Sequence, residues 1–164
     1  MNLVSLLTSI ENLVQKNNTT TSSHDISSSL NTRVKVFYKG VTGFADTIPI
    51  PINLYPAVCV EINNKTEEMI SIGRPGVRDL DITFSIVQIV HYGAGITDGR
   101  ETSDLELIRL TQNIENMLRA NISASGTVES LEIQATEFSN IVRSPDIYNS
   151  VSKINILTKL KSRS

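Results

Sequence analysis

Apolar residues recur along this chain with two different periods, and the switches between them mark its elements. Near the start, Leu3, Leu6, Leu7, Ile10, Leu13 and Val14 fall three or four apart while Ser5, Ser9, Glu11 and Asn12 take the other side, which predicts an amphipathic helix. The following Asn17–Thr32 segment has Ser, Thr or Asn at twelve of its sixteen positions, too little apolar surface to bury, and reads as a flexible loop over 17–32. RVKVFYK, from Arg33 to Lys39, alternates as a strand that Gly40 ends. Prolines 49, 51 and 56 in TIPIPINLYP forbid helix, so an extended arm is expected with Ile48, Ile50 and Ile52 on one side. AVCVEI, Ala57 to Ile62, reads as a buried strand, the polar Asn63–Glu68 as a turn or exposed loop, and Met69–Ile72 as a resumption of strand.

The dominant feature is LDITFSIVQIVHY, Leu80 to Tyr92, thirteen residues that read as one strand. At about 3.3 Å per residue it spans roughly 40 Å, twice the usual strand length. Its first half alternates, with Leu80, Ile82, Phe84 and Ile86 on one face and Asp81, Thr83 and Ser85 on the other. Val87, Ile89 and Val90 then put apolar groups on both faces, so the second half is either buried on both sides, as a helix on one face and a subunit on the other would achieve, or displaced by a β-bulge. Ser103 with Glu106 fits a capping box and predicts a second helix from Ser103 to about Ala120 with Leu107, Leu110, Ile114, Met117 and Leu118 inward. Strands are expected over Thr127–Glu137, through Leu131, Ile133 and Ala135, and over Val151–Leu160, through Ile154, Ile156 and Leu160. The sum is one α+β domain over 1–164: a single mixed, mostly antiparallel β-sheet with two main helices packed on it, plus an extended proline-rich arm.

Composition narrows the chemistry. Fifteen basic and seventeen acidic residues give a net charge of -2, which argues against non-specific nucleic-acid or anionic-membrane binding as the main activity. No run reaches the length of a membrane span. Cys59 stands alone within an apolar run and reads as a buried, inert thiol. The acidic stretch Asp98, Glu101, Asp104 and Glu106 is explained by a turn and a helix start rather than a metal. His24 and His91 sit in unrelated elements, no nucleophile elbow is present, and GRPG and YGAG lack the spacing and lysine of a phosphate loop. Neither a catalytic set nor a cofactor or metal site is expected, and the reading is of a non-enzyme.

The order of elements resembles the tail terminator proteins of long-tailed bacteriophages. The resemblance is carried by the amphipathic first helix, VKVFYKG, the arm into YPAVCVEI, LDITFSIVQIVHYG, the helix ending IENMLRANI and the closing SVSKINILTKL, and it covers nearly the whole chain. It implies a virion protein, assembled in the host cytoplasm, forming a ring, usually a hexamer, at the head-proximal end of the tail. Its partners would be other copies of itself, the tail tube protein and a head-neck connector, with DNA passing unread through the lumen and no membrane. On that reading Ile48, Ile50, Ile52, Leu54, Val87 and Ile89 are expected at subunit contacts, and Lys65, Glu67, Glu68, Asp98 and Arg100 at tube or neck contacts. The alternatives are another head–tail connector, such as a neck or tail-completion protein, or a small-ligand-binding α+β domain or enzyme with its pocket near His91 and Tyr92.

Overall fold

A computed structural model describes residues 2–27, 33–71, 76–93, 97–144 and 147–163. Helix α1 (Leu3–Lys16) starts where the Asn2 side chain accepts from the Val4 amide at 2.9 Å, satisfying one orphan donor of its first turn. After it come β1 (Val36–Val41), the one-turn helix α2 (Phe44–Thr47), a 3-10 turn at Ile52–Leu54, β2 (Ala57–Met69), β3 (Val77–Gly93), α3 (Thr97–Ala120), a 3-10 turn at Ala124–Gly126, β4 (Ser130–Ser144) and β5 (Ile147–Arg163). The strands form one sheet in the order β1-β2-β3-β5-β4, parallel between β1 and β2 and antiparallel elsewhere. The expected α+β class, mixed sheet and two main helices are all present.

The main core lies on the helix-bearing face. There α1 and α3 lay Leu6, Ile10, Leu13, Ile114, Met117 and Leu118 over Val58, Val60, Ile82, Phe84, Ile86, Ile154 and Ile156. The alternation that predicted β3 and β5 therefore holds. A second, smaller cluster on the opposite face joins Ala45, Tyr55, Ala57, Cys59, Val87, Ile89 and Val151, with Val36, Tyr38, Phe44 and Ile50 packed against it. Cover on both faces of the second half of β3 is thus supplied by the chain itself. The register of β3 with β5 runs unbroken from Val77 to Gly93, so no bulge interrupts it there. The bulge falls in β2, between Ile62 and Asn64.

Several sequence expectations are corrected. Asn63–Glu68 is no loop but the distal part of β2, paired with β3 as far as Met69 and exposed throughout. Gly40 does not end β1: a Cβ there would come within 2.6 Å of the Phe44 ring, so the missing side chain is what lets α2 fold back on the strand. No extended proline-rich arm stands apart from the domain. The segment is a turn of helix, a short extended stretch and a 3-10 turn, joined to β2 through a cis Tyr55–Pro56 bond. That second turn breaks the one-sided isoleucine pattern, because Ile50 packs on the smaller cluster while Ile52 is 58% exposed. In β4 the bulge between Ile133 and Ala135 turns Ala135 outward, away from the face that Leu131 and Ile133 occupy.

Helix α3 begins at Thr97, six residues before the predicted cap. Ser103 lies inside the helix, buried, its Oγ 3.4 Å from the His91 carbonyl that accepts from it. The 17–32 loop is likewise more tied down than its composition suggests over 17–27. Ile26 is fully buried in the main core, its amide donates to the Asn17 carbonyl at 3.0 Å, and its carbonyl accepts from Asn113 at 2.9 Å. Residues 28–32 lie outside the described residues, as do the Pro145 loop and most of GRPG.

Candidate functional site

The helix-bearing face over the second half of β3 is polar in its interior. Gln88 and Ser152 are fully buried there, and Thr111 of α3 nearly so. They satisfy one another in a chain: Thr111 and Ser152 share a hydroxyl contact of 2.6 Å, Ser152 donates to Gln88 Oε1 at 2.5 Å, and Gln88 donates to the Ile86 carbonyl at 3.0 Å. Beside it the Ser150 hydroxyl donates to Asp104. Buried polar groups satisfied this way fix the register of α3 on the sheet and are consumed by doing so. On the other face the Tyr55 ring stacks on His91 with centroids 5.3 Å apart, while Asn149 donates to the Tyr55 hydroxyl at 3.2 Å. The space over His91, where a ligand pocket was the alternative, is filled by that ring.

Glu61 is buried yet carries no free chemistry. Its carboxylate accepts from the Ala45 amide at 2.7 Å and the Gly43 amide at 3.4 Å, anchoring α2 to β2. Cys59 is fully buried beneath the same segment. Asp79 and Asp81 stand opposite Lys161 and Lys159 across the β3–β5 ladder, so those two lysines meet acidic neighbours in their own sheet. Among the described residues no group of three or more His, Cys, Asp or Glu side chains is placed to hold a metal ion. No helix there is long and apolar enough to cross a membrane.

The expected subunit contacts are divided by the structure. Val87 and Ile89 are buried within the smaller cluster, beneath the 44–56 segment, so neither is available to a neighbour; the sequence signal that singled them out was intramolecular cover. Ile48, Ile50 and Leu54 are half-buried, and Ile52 is the exposed member of that set. The expected tube or neck contacts fall in two places. Lys65, Glu67 and Glu68 lie on the exposed extension of β2, where Glu67 pairs with Lys65 and, at 3.0 Å, with Arg78 across the hairpin. The hydrogen bond from Lys65, and then that from Arg78, holds the Glu67 carboxyl below the ordinary carboxylate range. Arg100 is exposed in the first turns of α3, 3.7 Å from Asp104; Asp98 belongs to the same turns, its side chain outside the described residues.

These two places are at opposite ends of β3. Glu67 pairs with Leu80 near its start, and α3 begins just past its end at Gly93. The thirteen steps between Leu80 and Gly93 measure roughly 40 Å at about 3.3 Å per residue. A third surface was missed by sequence reasoning. Leu105 and Ile108 of α3 and Phe138 of β4 are exposed, and Ile108 and Phe138 line a groove of about 230 Å³ with Asp104, Leu107, Asn140 and Ser150. The only trace in the sequence is that α3 has more apolar positions than one face can bury. No family model matches the chain, and no curated protein matches it.

Proposed function

We propose that this protein is a structural component of a bacteriophage tail, a terminator that forms a ring on the end of the tail tube. Binding the last tube ring occupies the surface on which another would add, so polymerisation stops, and the opposite face receives the head's neck proteins. DNA passes through the lumen without being read. The observation that carries this reading is the bipolar layout: two exposed polar regions, Lys65–Glu68 and the start of α3 around Arg100, stand at opposite ends of one long sheet. A subunit that joins two different structures needs one contact surface at each end. Gln88 and Ser152, and Glu61 and Ala45, are polar groups of the interior committed to one another, which suits a scaffold.

The test is the mass of the purified protein by light scattering, alone and with its tail tube protein, together with electron images of the tubes. Rings and tubes capped at one end are expected. A protein that stays monomeric and never joins tubes overturns the proposal, and density at the portal in place of the tube end moves it to a neck protein.

A further inference from the structure

The sheet ends in two unpaired edges of opposite charge. Among the described residues, β1 at one edge pairs only with β2, and β4 at the other pairs only with β5. From residue 33 to 45, around β1, the chain carries Arg33, Lys35 and Lys39 and no carboxylate. From 129 to 144, through β4, it carries Glu129, Glu132 and Glu137 against a single base, Arg143. The three bases around β1 and the three carboxylates are exposed, and Lys39 is engaged by the carboxylate of Glu11 of α1 at 2.7 Å. Unpaired strand edges are templates for pairing with another chain, and the charge on each edge decides which chain.

We propose that β1 of one copy pairs with β4 of the next, continuing the sheet from subunit to subunit. The inference rests on the ring reading above and names the surface that closes the ring. Two-fold pairing of β4 with β4 sets carboxylates against carboxylates, and β1 with β1 sets bases against bases, so both symmetric dimers are disfavoured while head-to-tail contact is attractive. The carboxylates Glu132 and Glu137 lie on the face away from α3 while Lys35 and Lys39 lean toward α1, so the attraction acts across the edge within a screening length of about 8 Å rather than through same-face ion pairs.

Geometry agrees on three counts. Because β1 and β2 are parallel and the other pairs antiparallel, the edge strands β1 and β4 run oppositely, and a copy added in the plane of the sheet forms an antiparallel pair. The unbroken register of β4 from Ala135 to Val142, between its two bulges, is long enough to receive the six residues of β1. Each edge also carries an exposed apolar side chain on the helix-bearing face, Val41 at 66% and Phe138 at 55%, and pairing brings that face of both edges together.

The experiment uses the full chain. The variants Glu132→Lys/Glu137→Lys and Arg33→Glu/Lys35→Glu, each of which reverses the sign of its edge, are each expected to weaken self-association about tenfold or more by light scattering, with unchanged circular dichroism. Mixed in equal amounts they are expected to reassemble, because the reversed β4 edge of one meets the reversed β1 edge of the other. In a Cys59→Ala background, oxidation should crosslink a Val41→Cys chain to a Phe138→Cys chain and leave either alone uncrosslinked. If the wild type assembles but the charge variants assemble equally well, or Phe138→Cys crosslinks to itself, the ring stands and this interface is wrong. If the wild type is monomeric up to about 1 mM and on tubes, both fall.

Discussion

Glu61 and Gly40 fix the short α2 segment against the sheet by different means. Glu61 supplies the acceptor for the Ala45 amide, which is buried with it. Its replacement by Ala removes that buried, charge-assisted acceptor, at a cost of about 1–3 kcal/mol. We expect Glu61→Ala to lower the urea midpoint accordingly and to raise hydrogen exchange at Ala45 far more than in α1; equal exchange at both would mean that the carboxylate does not hold the segment. Gly40 contributes by absence, since a Cβ would press into the Phe44 ring. At the exposed hairpin the charge is tuned rather than buried. Because the folded-state acidity of Glu67 is raised by Lys65 and then Arg78, the ion cluster is complete above the ordinary carboxylate range and is lost as pH falls through the lowered value. A Glu67 carboxyl resonance titrating below that of an unstructured peptide, and shifting back upward in Lys65→Ala, is the expected observation.

At the scale of elements, what could be read from the sequence depended on whether periodicity alone decided the structure. α1, the first half of β3 and the inward face of β5 each have one buried face, and their alternation or helical stripe was sufficient. The distal half of β2 was misread because Asn63–Glu68 has no buried face: its strand form comes from pairing with β3, a long-range partner that local composition does not record. The start of α3 was misplaced for a similar reason. Ser103 has the chemistry of a cap, yet the helix runs on through it and its hydroxyl is used toward β3. In the Ser-rich loop a single apolar residue outweighs its polar neighbours. Ile26, fully buried, pins residues 17–27 against α3. Ile26→Ala should cost about 2–5 kcal/mol and make that stretch the first site of limited proteolysis. Cleavage elsewhere first would show that hydrogen bonds such as Asn18 to the Val34 carbonyl hold the loop without it.

For the whole molecule, the candidate contacts divided where burial could decide them. Val87 and Ile89 were legible as residues needing cover, but the sequence could not say that the cover comes from the segment around Tyr55 and Ala45. Lys65, Glu67 and Glu68 were legible as exposed, and their position at one end of a sheet whose other end carries Arg100 follows only from the register of β2 on β3. On the proposed terminator reading, that separation makes the two ends independent. The rigid sheet between them is about 40 Å long, well beyond the reach of surface charge at physiological salt, so changing one end leaves the field at the other unaltered. We therefore expect Lys65→Glu/Glu67→Lys/Glu68→Lys to abolish one joint, either to the tube or to the neck, and Arg100→Glu to weaken the other, with ring mass unchanged in both. Electron images of tails and head–tail complementation in extracts distinguish the joints. Loss of the same joint by both variants would mean that a single surface makes both contacts, and the bipolar arrangement would no longer explain how a terminator subunit faces two partners.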